Sequence, residues 1–128
     1  MEAKIIEGTS HSPSIVLDAE NNKFEFAGQS LPENVAVFYK PVFDWLDEYA
    51  KNPNDQSRVV FKMEYFNTAS SKMIYEVLER FNEMYHNGKD IVIEWHFDEE
   101  DEDMEEAGEE YSEMVDVPFE LKSYKVKT

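Results

Sequence analysis

The sequence predicts a single α/β domain in which a mixed β-sheet, begun by an N-terminal antiparallel meander, is packed with helices. Three observations carry this: short β-branched segments at the start of the chain, two long stretches of helical apolar spacing further on, and a strand–helix–strand order in the second half. The chain has 128 residues and is 41% hydrophobic, enough for one core and too little for two ordinary ones, so one domain spanning 1–128 is expected.

KIIEGT and SIVLDA read as strands separated by a turn-rich stretch, and KFEFAG follows as a third. Asn21 and Asn22 stand between the last two, and asparagine tolerates positive φ, so residues 4–28 are expected to form the meander. Val35, Phe38, Val42, Trp45, Leu46 and Tyr49 then recur at helical spacing, and the Phe38, Trp45 and Tyr49 stripe reads as core. Pro41 leaves the Val37 carbonyl without a donor, which predicts a kink or a break into two shorter helices.

The stretch 58–89 is the strongest local signal. An apolar strand, RVVFKMEYF, runs into the polar turn NTASSK and then into an amphipathic helix, MIYEVLERFNEMYHNGK. Alternation puts Val59, Phe61, Met63 and Tyr65 on one strand face, and Val60, Lys62, Glu64 and Phe66 on the other. Ile74, Val77, Leu78, Phe81, Met84 and Tyr85 form the helix stripe, and Asn87-Gly88 supplies a stop. Ile91, Ile93, Trp95 and Phe97 alternate in the next strand, which implies a right-handed crossover between parallel neighbours. From Asp101, Met104, Ala107, Tyr111, Met114 and Val115 give a narrow stripe under an acidic helix face, and Phe119 to Val126 reads as a final strand.

The net charge is −17, which disfavours nucleic acid and anionic membrane surfaces as partners. Ten acids lie between Asp98 and Glu110 without a Lys or Arg among them. There is no cysteine, so disulfides, thiolate metal sites and cysteine nucleophiles are absent. With no secretory segment after Met1 and no membrane-length apolar run, a soluble cytoplasmic protein is expected. His11, His86 and His96 lack metal-pair spacing, and Asp103 stands where a calcium loop begun at Asp98 needs glycine. No P-loop, dinucleotide fingerprint or nucleophile elbow is present, so no catalytic residue, metal or cofactor is assigned and the chain is not read as an enzyme.

Thr68 is the residue of interest. On spacing alone it reads as a helix N-cap, one of several capping types at this junction with Asn67, Ser70 and Ser71. The same position suits a phosphoryl group, held by exposed N–H groups and the helix dipole with Lys72 one turn away. On this reading one hydroxyl serves as both cap and switch.

YFNTASSK, with FYKPVFDWLDEY before it and IEWHFDEEDEDMEEAGEEYSEMVDVPFEL after it, closely resembles the SiaC family of bacterial regulatory phosphoproteins. The resemblance implies a partner-switching protein phosphorylated on the threonine of YFNT, here Thr68. It implies a SiaB-type kinase that adds the phosphate and a SiaA-type serine/threonine phosphatase that removes it. It further implies that the unphosphorylated form binds and activates a diguanylate cyclase in biofilm control and cyclic di-GMP signalling. The strand-to-helix hydroxyl is also similar to the layout of anti-sigma-factor antagonists, a STAS-like α/β arrangement. Asn67, Thr68, Ala69, Ser70, Ser71 and Lys72 are the expected partner surface. The alternative is a constitutive acidic adaptor that docks a basic protein through Asp98–Glu110, with Thr68 only a cap.

Overall fold

Period-2 apolar alternation in six segments and period-3.6 spacing in three dictate the elements of the computed structural model, which describes residues 1–125. In chain order they are β1 (Lys4–Ile6), β2 (Ser14–Asp18), β3 (Lys23–Ser30), α1 (Val35–Tyr49), β4 (Gln56–Phe66), α2 (Thr68–His86), β5 (Asp90–Asp98), α3 (Glu102–Met114) and β6 (Phe119–Tyr124). The strands form one sheet in sequential order. β1, β2 and β3 pair antiparallel, and β3 to β6 run parallel. The expected meander and mixed sheet are both present, with Asn22 at φ 53° in the β2–β3 turn. Val126, assigned to the last strand, lies outside the described residues.

Each parallel step needs a crossover, and α1, α2 and α3 provide them on one face of the sheet. The register aligns Ile15, Phe26, Phe61 and Trp95 across that face. Trp45 and Tyr49 of α1 and Phe81 of α2 meet Phe24, while Tyr111 of α3 meets Trp95. All are buried in one cluster. α3 approaches through Gly108, where an added Cβ would fall onto the Trp95 ring, and the Trp95 Nε1–H donates to the Met104 carbonyl at 3.0 Å.

Three local expectations are corrected. α1 continues through Pro41 as one helix rather than breaking in two; Val37 is 67% exposed, so the freed carbonyl belongs to a solvent-facing residue and need not be paired within the protein. The pairing shifts between Gly28↔Met63 and Gln29↔Tyr65, which makes Glu64 an extra residue and reverses the alternation beyond it. Tyr65 is therefore exposed, and Phe66 turns in against Trp95 at 6.2 Å. Tyr85 lies at the edge of its stripe and is exposed. The stop at Asn87-Gly88 forms as expected: Gly88 has φ 98°, its N–H donates to Tyr85, and the Lys89 N–H donates to Met84, a Schellman closure.

The opposite sheet face carries no helix among the described residues, and a charged cluster occupies it. Register places Glu94 between Val60 and Glu120, where it is buried. It accepts from Arg58 at 2.6 Å and lies 3.0 Å from His96 and 3.2 Å from Lys122. Burial pushes its carboxyl up, but hydrogen bonds with Arg58, His96 and Lys122 outweigh this and hold it at about 2, below the usual 4.5. Its stabilising contribution is thus complete above that usual value and is lost as pH falls toward the folded one. Glu94→Gln is expected to cost about 1–3 kcal/mol at neutral pH, because half-exposed Arg58 and Lys122 are screened by solvent. In urea unfolding across a pH series, the gap to wild type should close over that same interval.

Candidate functional site

The corner between β4 and α2 begins where the Glu64 bulge turns Phe66 inward. The Asn67 N–H donates to the Ser30 carbonyl at 3.1 Å, which extends the parallel pairing by one residue. Asn67 is extended, with φ −83° and ψ 175°, and its side chain accepts from the Ser70 N–H at 2.9 Å. Its carbonyl accepts from Ser71 N–H at 2.9 Å. Asn67 is therefore the N-cap, a correction to the reading of Thr68 in that role.

Thr68 is the first helical residue, and it is exposed. Among the described residues its N–H and that of Ala69 have no partner, so two donors at the positive end of α2 face outward. Lys72 is exposed one turn on. Ser70 is fully buried, which removes it from the expected partner surface. Its hydroxyl accepts from Ser30 Oγ at 2.9 Å, and Ser30 Oγ lies 2.7 Å from Tyr39 Oη. Burial pushes the Tyr39 phenol up against the opposing Ser30 hydrogen bond, so it stays protonated. Three hydroxyls thus tie β3, α1 and α2 together beneath the corner.

A groove of about 520 Å³ opens beside the corner, between α2 and α3. Phe66, Tyr75, Ala107, Tyr111 and Met114 supply its apolar lining, with Lys72, Glu76 and Glu110 also contributing. The Tyr111 hydroxyl donates to the Ser71 carbonyl at 2.7 Å. Sequence reasoning missed this groove because its walls come from two helices. The available signal was Met114, on the apolar stripe of α3 yet 56% exposed.

The acidic run has a structural part: Asp101 caps α3 by accepting from the Met104 N–H at 3.0 Å. Glu102, Asp103 and Glu105 fill the first turn, where the helix dipole favours them. Among the described residues no group of three or more His, Cys, Asp or Glu is placed to hold a metal ion. No described helix is long and apolar enough to cross a membrane.

Fold and corner together define a small α/β module that holds one helix start rigidly at its surface beside an apolar groove. The chain belongs to the SiaC family of regulatory phosphoproteins, whose sequence profile matches residues 6–124. It is 27% identical over 119 residues to a protein of Pseudomonas aeruginosa strain UCBPP-PA14 described as uncharacterized, covering 93% of this chain and 94% of that one. Its fold is that of the solved structure of SiaC of Pseudomonas aeruginosa, with a TM-score of 0.89 and 26% identity over 97% of this chain and 100% of the other. It matches equally SiaC bound to the diguanylate cyclase SiaD, where SiaC is described as the activator, with a TM-score of 0.88 and 26% identity over 94% and 99% of the two chains.

Separating cap from exposed hydroxyl leads to a direct comparison. Asn67→Ala should destabilise the fold by about 1 kcal/mol, whereas Thr68→Ala should change it by only a few tenths. Thermal unfolding of both variants beside wild type checks this.

Proposed function

We propose that this chain is a non-catalytic phosphoswitch of the bacterial cytoplasm. A SiaB-type kinase and a SiaA-type phosphatase set the state of Thr68, and that state controls docking to an effector such as a diguanylate cyclase. The output would then be cyclic di-GMP signalling and biofilm control. The observation that carries the reading is Thr68 itself, exposed as the first residue of α2 while its neighbour Asn67 does the capping. A modified Thr68 costs the helix no cap. The outward N–H groups of Thr68 and Ala69, the helix dipole and Lys72 all favour a phosphate there.

Unmodified, the corner offers an uncharged hydroxyl one turn from the Ser71 and Lys72 wall of the α2–α3 groove, and the effector docks across both. Phosphate adds about −1.5 to −2 charges to a chain already at −17, so it acts locally, by charge, bulk and retained hydration at the docking edge. Exposed Thr68, Ala69 and Lys72 form the contact surface. Asn67 and Ser71 shape it, and Ser70 anchors it from within.

Peptide mapping of the chain purified from its native host, with and without phosphatase treatment, should place one removable phosphate on Thr68. The cognate kinase should label wild type and leave folded Thr68→Ala unlabelled; equal incorporation into both would overturn the assignment. Thr68→Asp should weaken effector binding by about tenfold or more. Binding that falls steeply with salt and ignores the state of Thr68 would instead favour the acidic adaptor reading, in which the Asp98–Glu110 face docks a basic protein through its exposed acids.

A further inference from the structure

Tyr111 occupies two places at once. Its ring is 7% exposed, 5.4 Å from Trp95 and 6.3 Å from Phe66, and it forms part of the groove wall. Its hydroxyl reaches out of α3 to the first turn of α2 and donates to the Ser71 carbonyl at 2.7 Å. The Ser71 hydroxyl in turn donates to the Thr68 carbonyl at 2.7 Å. Two hydrogen bonds, joined through the covalent frame of Ser71, therefore link the backbone of Thr68 to the groove side of α3. Burial, foremost, raises the Tyr111 phenol, so it remains a donor throughout the physiological range.

We propose that Tyr111 is a positioning residue that couples the state of Thr68 to the α2–α3 groove. A helix turn and a neighbouring helix joined only by side-chain packing can slide past one another; a partly buried hydrogen bond between them makes their displacements correlated. Phosphate drawn onto the Thr68 and Ala69 N–H groups pulls on the first turn of α2, and the Tyr111 hydroxyl transmits that pull to α3. The rest of α3 is pinned at Gly108 and Met104 against Trp95, so the movement is confined to the groove wall beyond that anchor. The consequence for an effector rests on the reading of Thr68 as the switch. The coupling itself does not.

Tyr111→Phe keeps the ring and removes only the hydroxyl. Backbone amide spectra are compared for four chains: wild type, Thr68→Asp, Tyr111→Phe and the double variant. Thr68→Asp should shift amides in the segment 109–114 of α3 when Tyr111 is present, and should shift only residues around Asn67–Lys72 when Tyr111→Phe is also present. Equal shifts in α3 in both backgrounds, or none in α3 with Tyr111 intact, overturn the proposal. In effector titrations of the same four chains, the two substitutions should depart from additivity by about threefold or more, a result that simple loss of a stabilising contact does not produce; strict additivity counts against it. Failure of Thr68 as a kinase substrate would appear as absent phosphate incorporation, independently of the amide shifts.

Discussion

The packing of Trp95 is the constraint on which the functional end of the molecule depends. Its ring lies within 5.4 Å of Phe61, 6.2 Å of Phe66 and 5.4 Å of Tyr111, and it is fully buried. A donor this deep has to be satisfied, and the Met104 carbonyl satisfies it by bringing α3 down onto β5. Gly108 makes that approach possible, because any side chain there would occupy the space of the indole. Once α3 is placed, Tyr111 meets Ser71 and the groove beside Thr68 exists. The groove, and the tie from α3 to the corner, are thus consequences of one buried tryptophan and the glycine that faces it.

Polar groups inside the fold mark where geometry has to be exact in register. The Ser30, Tyr39 and Ser70 hydroxyls join three elements under the corner, and a slip of any one would strand buried oxygens without partners. On the other sheet face, Glu94 does the same for β4, β5 and β6 through Arg58, His96 and Lys122. Among the described residues that face carries no helix, because the three crossovers of a sequentially ordered sheet pack on one side. The exposed side can therefore hold charges that a doubly covered parallel sheet would not accept.

The charge distribution separates two kinds of acid. Asp101 and the acids of the first turn of α3 complement the backbone donors and dipole of that helix, so part of the acidic run is structural. Glu99, Glu100, Glu106, Glu109 and Glu110 of the run are exposed and set a strongly negative surface there. In contrast with the start of α3, the first turn of α2 contains no acid, and the N–H groups of Thr68 and Ala69 are left without a partner among the described residues. A local modification there changes a local surface, while the net field of the molecule stays nearly constant.

By itself the sequence determined what depends on near neighbours along the chain. Strand alternation, the stripes of α1 and α2, the stop at Asn87-Gly88 and the parallel crossover follow from side-chain period and backbone conformational preference, and all are present. The YFNT corner and the family were legible in the same way, from contiguous residues. Only the tertiary structure decided what depends on pairing between distant segments. The bulge at Glu64 exchanges Tyr65 for Phe66 because β3 and β4 fall out of step, which neither strand reveals alone. Asn67 rather than Thr68 becomes the cap, because the Asn67 N–H is tied to Ser30 and the helix already begins at the residue that bears the hydroxyl. Ser70 is buried because Ser30, 40 residues earlier, lies beneath it, and the groove arises where two helices from separate crossovers are drawn onto Trp95. The chemistry of the corner is local, but its accessibility is a property of the packed fold.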